Sequence, residues 1–168
     1  MSVYIGLINP KSPANVGAVM RAVGCFQADA VFYTGQRYTR AAKFNTDTKN
    51  INRLLPLTAV AHILAAKKNN QKVVCVDLIE GATPLPCYQH PENALYIFGP
   101  EDGSIEQDIV NKADDVVYIP THGCMNLAAT VNVVLYDRLC KQKNISLDNE
   151  LIRKSRDTNN KTKVVKSC

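Results

Sequence analysis

Short, nearly unbroken apolar runs that alternate with longer helical patterns predict an α/β fold, a mainly parallel sheet with helices on both faces. Two further observations agree. The runs lack the in-out alternation of strands that face water on one side, so they read as strands covered on both faces. The segments with the most unusual chemistry follow strands, where an open parallel sheet places its ligand site. At 168 residues the chain has room for one domain of ordinary size.

The first strand is VYIGLI, residues 3–8. A helix over 13–27 follows, with Ser12 as N-cap and Pro13 at the first helical position. Its stripe of Val16, Val19, Met20 and Val23 suits the core, and Ala14, Gly17, Arg21 and Gly24 lie roughly opposite. AVFYTG (30–35) is the second strand, residues 36–53 read as a polar surface loop, and a helix is expected over 54–68. VVCVDL (73–78), ALYIFG (94–99) and DVVYIP (115–120) are the remaining strands. Ser104-Ile105-Glu106-Gln107 fits a capping box that opens a helix over 104–113, and the last helix covers 125–141. Apolar periodicity fades from 143, which divides the chain into a domain at 1–142 and a basic tail at 143–168, mobile from 155.

A hydrophobic share of 46% against 21% charged residues excludes disorder throughout. No apolar run approaches the ~20 residues of a membrane span, and MSVYIGLINP lacks the basic start of a signal peptide. The expected location is cytoplasmic. The six cysteines (25, 75, 87, 124, 140 and 168) form no CxxC pair, and several lie in apolar segments, so reduced, buried thiols are expected. Residues 138–168 carry nine basic against three acidic residues, whereas 1–137 carry 11 against 12. Arg37, Arg40, Lys43, Lys49 and Arg53 form a second basic cluster, offset only by Asp47. This pattern suits a polyanion, and equally a tail kept charged for solubility.

Three segments carry the candidate chemistry. The first runs from Asn9 to Arg21. Glycine costs about 1 kcal/mol inside a helix, so two on one face suggest close approach of a backbone or ligand beside Arg21. An ordinary small-residue packing face with a surface arginine also satisfies the spacing. The second, Phe98 to Ser104, is a tight turn that exposes backbone groups without being a phosphate loop. Its Glu101 and Asp102 alternatively read as helix-start anions. The third runs Ile119-Pro120-Thr121-His122-Gly123-Cys124-Met125-Asn126-Leu127 into a helix. Capping alone explains Asn126, while Asn132, inside a helix that looks buried, is a packing or interface candidate. His122 reads as an exposed loop histidine, and no spacing suggests a metal site.

Together and in this order, Pro13-x-Asn15-x-Gly17-x-x-x-Arg21, Phe98-Gly99-Pro100-Glu101 and Ile119 through Tyr136-Asp137 resemble the SpoU branch of the SPOUT superfamily of RNA methyltransferases. The Met-Asn-Leu form of the third segment looks closest to small tRNA 2′-O-methyltransferases that act in the anticodon loop. The resemblance implies a C-terminal deep trefoil knot, a homodimer, and S-adenosylmethionine lined by Leu78, Gly99, Ile119, Cys124 and Leu127. It places Arg21, Asn15, Glu101 and Asn126 nearest the chemistry. The chain departs from the family pattern at Gly103-Ser104, where the glycine comes one residue early, and at Asn126-Leu127-Ala128, where many members have Ser-Leu-Asn. Asn126 is therefore expected to take over the polar role missing at Ala128. A guanidinium is a poor base, so Arg21 is expected to act as an electrostatic clamp. The rivals are an RNA-binding protein of the same fold without catalysis and a nucleotide-dependent Rossmann-type enzyme. The second lacks a glycine phosphate loop after its first strand.

Overall fold

The computed structural model describes residues 2–42, 56–142 and 148–164. Among these residues the strands are β1 (Val3–Leu7), β2 (Ala30–Tyr33), β3 (Leu57–Ala59), β4 (Lys72–Val76), β5 (Thr83–Pro84), β6 (Ala94–Phe98) and β7 (Asp115–Tyr118). They form one sheet in the order β3-β2-β1-β6-β4-β7-β5, and every pairing is parallel. The fully apolar β1 and β6 lie beside each other at the centre, buried along their whole length. The two-residue β5 ends on a proline, which an edge strand tolerates.

One face of the sheet packs against α1 (Pro13–Cys25) and α4 (Leu127–Cys140), which also pack on each other. Val16, Val19, Met20 and Val23 point into this core as their spacing predicts. The other face is covered by a 3-10 turn (Ile63–Ala66) and by α3 (Gln107–Val110). Gly6 sits on that side because a Cβ there would lie 2.9 Å from Ile63 Cγ1. The α/β class with both faces covered is therefore as expected.

Several local expectations change. Instead of a helix over 54–68, residues 57–59 extend the sheet as β3 beside β2, and only 63–66 turn helically (51–55 lie outside the described residues). Strand pairing outweighs a weak helical pattern there. Part of the presumed loop is the helix α2 (Arg37–Ala42), whereas Lys43, Asp47, Lys49 and Arg53 lie outside the described residues. The helix expected over 104–113 shrinks to α3, with Glu106 at its N-cap position and no side-chain cap. Ser104 does not cap it; the neighbouring Ile105 amide is instead held by Asp77. Within the expected tail, Asp148 caps a further helix, α5 (Asn149–Ser155), none of whose residues is buried.

The thiols also differ from expectation. Cys75 is buried, and burial together with Asp77 pushes its pKa up to about 12. Cys25, Cys87, Cys124 and Cys140 are exposed, because each lies at an element end or in a loop that water reaches, and Cys168 lies outside the described residues.

Candidate active site

The candidate cleft opens at the carboxyl ends of three strands. Val76, Asp77 and Leu78 leave β4, the turn from Phe98 to Gly103 leaves β6, and Ile119 to Leu127 connect β7 to α4. All five residues expected at a cofactor, Leu78, Gly99, Ile119, Cys124 and Leu127, line it. Leu78 is 49% exposed, so this rim presents apolar surface that the chain itself leaves uncovered. Gly99 lets the turn close down: a Cβ there would be 3.3 Å from both Asp77 Oδ2 and the Ile105 nitrogen. The Thr121 hydroxyl donates to the Gly123 carbonyl at 2.8 Å and tightens the third loop. His122 is exposed, as expected.

Glu101 ties the cleft to α1. It accepts hydrogen bonds from the backbone amides of Lys11 (2.8 Å) and Ser12 (3.1 Å) and from Asn15 Nδ2 (3.2 Å). These amides precede α1, whose N-cap Ser12 accepts from the Asn15 amide at 3.3 Å. The helix-start anion therefore serves α1, not the shorter helix that follows it in sequence. Burial pushes the Glu101 carboxyl up, but these donors outweigh it and hold the pKa below the ordinary value. Glu101 is thus a poor proton acceptor and a firm anchor.

Asn126 Nδ2 donates to Asn15 Oδ1 at 2.9 Å, and its own Oδ1 accepts from the Ala128 (2.9 Å) and Ala129 (3.4 Å) amides. Capping α4 and linking it to α1 are therefore two uses of one side chain. Glu101, Asn15 and Asn126 form a continuous chain of hydrogen bonds from the β6 turn through α1 to α4.

Arg21 stands apart. It is exposed on α1, six residues beyond Asn15, and does not line the cleft. The expectation that its guanidinium points into this site is not met within the single chain, because Arg21 lies on the exposed side of α1, away from the buried stripe of Met20 and Val23. Asn132 is also exposed rather than buried, and its amide donates back to the Ala128 carbonyl at 2.8 Å. Two contributors escape the sequence reading. Asp77 lines the cleft, and the signal available was a carboxylate at a strand exit beside Leu78. Arg37 makes a two-pronged ion pair with Asp102 at 2.8 Å per bond, which sets the start of α2 against the β6 turn. No spacing rule joins residues 65 apart.

Among the described residues no cluster of His, Cys, Asp or Glu is arranged to hold a metal, and no helix is long and apolar enough to cross a membrane.

Known proteins share this fold. The chain is 26% identical over 151 residues to the 23S rRNA (guanosine-2′-O-)-methyltransferase RlmB of Acinetobacter baylyi, covering 84% of this chain. It spans only 60% of that relative's length. The fold matches the SpoU methyltransferase AviRb of Streptomyces viridochromogenes, solved in complex with AdoMet. The TM-score is 0.66 at 18% identity, over 83% of this chain and 57% of that one. It also matches a structure solved for the 2-OH methylation of C/U34 on tRNA, with a TM-score of 0.63 at 20% identity over 83% and 90% of the two chains. The profile of the SpoU rRNA Methylase family covers residues 2–136, the span that holds the whole cleft and its hydrogen-bonded chain, and on that match the protein belongs to this family.

Proposed function

We propose that the protein is an S-adenosylmethionine-dependent RNA methyltransferase that methylates a ribose 2′-OH, in tRNA and within the anticodon loop. The observation that carries this reading is the meeting of all five expected cofactor residues in one cleft, joined to Glu101, Asn15 and Asn126. The open Leu78 rim and the side-chain-free Gly99 suit an adenosyl group held against apolar surface and backbone. When bound, the sulfonium supplies an activated methyl group. The chain's own residues would then orient the reactants: Glu101 anchors the turn, Asn15 and Asn126 fix α1 to α4, and aligned geometry carries much of the rate. A catalytically silent RNA-binding protein is the less favoured alternative.

A homodimer belongs to this proposal. The outward face of α1 carries Ala14, Gly17, Ala18 and Arg21, and beside it α4 exposes Asn132 and Tyr136. A Cβ at Gly17 would meet open space, so no neighbour within the chain accounts for this mid-helix glycine. A second copy packed there would bring Arg21 towards a cleft as a clamp on phosphate or on the developing 2′-oxyanion. The C-terminal trefoil knot, the division into 1–142 and a basic 143–168 tail, RNA contact by that tail, and a cytoplasmic location complete the reading.

Calorimetry should show S-adenosylmethionine binding without added metal, and light scattering should give about twice 18.5 kDa. Nucleoside mass spectrometry of tRNA from a deletion strain should show one missing 2′-O-methyl mark. Arg21→Ala should lower methyl transfer by about 10²–10³ while cofactor affinity holds, and Lys should rescue only partly. Binding of a nicotinamide dinucleotide in place of S-adenosylmethionine would overturn the reading.

A further inference from the structure

We propose that Asp77 is a positioning residue that sets the spacing of the cleft's walls and thereby the affinity for S-adenosylmethionine. This rests on the cofactor reading above. Asp77 follows β4 directly, and its bonds reach both β7 and the turn after β6. Its backbone N–H donates to the Val117 carbonyl of β7 at 3.1 Å. Its Oδ1 accepts from the Leu78 amide at 2.8 Å, and its Oδ2 accepts from the Ile105 amide at 3.0 Å. Ile105 closes the turn that begins at Gly99 and is itself only 6% exposed.

The sheet register explains why one carboxylate reaches so far. Val76 pairs with Phe98 and with Val117, so Asp77 leaves the sheet between the exits of β6 and β7. Gly99 is the residue across from it, and a Cβ there would crowd Oδ2 and the Ile105 nitrogen at 3.3 Å. Two backbone donors on one carboxylate make a joint with defined direction, since charge-assisted hydrogen bonds are shorter and stronger than neutral ones. Removing the carboxylate frees the Leu78 rim and the 99–105 turn to move independently. A ligand bound between them loses its preformed shape and must order it on binding.

The test compares wild type, Asp77→Asn and Asp77→Ala by calorimetry with S-adenosylmethionine and S-adenosylhomocysteine, well below each protein's melting temperature. Asp77→Ala should weaken both ligands by the same factor, about tenfold or more in a site that depends on preorganisation. Asp77→Asn keeps one accepting oxygen and turns an NH2 towards the other donor, so it should fall between. Without ligand, hydrogen exchange at the Ile105 amide should speed up in Asp77→Ala. Unchanged affinities in both variants would overturn the proposal, even with faster exchange. A loss confined to S-adenosylmethionine would also overturn it, because direct recognition of the sulfonium charge would then be the role. If Asp77→Ala does not fold, Asp77→Asn carries both comparisons. Failure of the wild type to bind either ligand would overturn the cofactor reading itself, and this proposal with it.

Discussion

The two ends of α4 are fastened to the rest of the molecule by opposite means. At its start, the exposed Asn126 caps the helix and donates one hydrogen bond to Asn15, which in turn holds Glu101. At its end, the buried Arg138 donates to the carbonyls of Pro91 (2.6 Å) and Glu92 (2.8 Å) and to the Tyr96 hydroxyl (3.0 Å). His90, its side chain 4% exposed, bridges Tyr96 (2.7 Å) and Asp137 (2.8 Å). Lys141 then binds Asp137 and the carbonyls of Leu85 and Tyr88. The dense network lies away from the cleft, whereas the sparse one reaches its lining through Glu101. A helix end locked in buried polar contacts can hold position, and an end with few, exposed bonds can exchange them with a ligand.

That contrast breaks most visibly at Arg138. Arg138→Ala leaves two carbonyls and a tyrosine hydroxyl without their donor, and should cost about 3–5 kcal/mol of stability. Urea unfolding should report this while the remaining folded protein keeps wild-type cofactor affinity. A loss below 1 kcal/mol would mean that the buried network is not what anchors α4.

Asn126 gives a smaller effect and separates its two uses. Asn126→Ala should cost about 1 kcal/mol through the lost cap. Asn126→Ser keeps a capping oxygen but is too short to replace the Nδ2 donor that reaches Asn15, so its melting temperature should stay near wild type while methyl transfer falls. Equal transfer by the serine variant and wild type would reduce Asn126 to a cap.

The smallest effect is a pH dependence at the buried end. Burial lowers the His90 pKa below its ordinary 6.5, Asp137 opposes the shift, and Arg138 and Lys141 reinforce it. The unfolded chain therefore takes up the proton more readily. The stability contributed by neutral His90 is full above about 6.5 and is lost as the pH falls through the lower folded value. Stability measured from pH 8 to 5 should decline on the acid side, and His90→Gln should flatten that decline. Identical profiles would place the acid sensitivity elsewhere.

Much of this was legible in the residues, for a definite reason. α1 begins at Pro13 behind Ser12 because capping and apolar spacing are local, and both operate within one turn of chain. The central strands are apolar on both faces because they are buried on both, so β1 and β6 announced themselves. The five cleft residues came with the resemblance to the SpoU branch, and they lie together because strand ends in a parallel sheet converge on one edge. The failures were also physical. Residues 57–59 read as helix until β2 offered a pairing edge, and Ser104 read as a cap until Asp77 took the neighbouring amide.

What the sequence by itself determined is the alternation of elements, the buried stripe of α1, and which loops line the cleft, because each depends on forces acting over a few neighbouring residues. Only the tertiary structure decided the partners of its polar groups. Glu101 serves the start of α1, Asp102 takes Arg37, Asp77 takes the Ile105 amide, and Asn126 meets a side chain 111 residues away. A carboxylate or amide satisfies its hydrogen bonds with whichever donors the packed elements bring within about 3 Å, and that proximity exists only after the chain has folded.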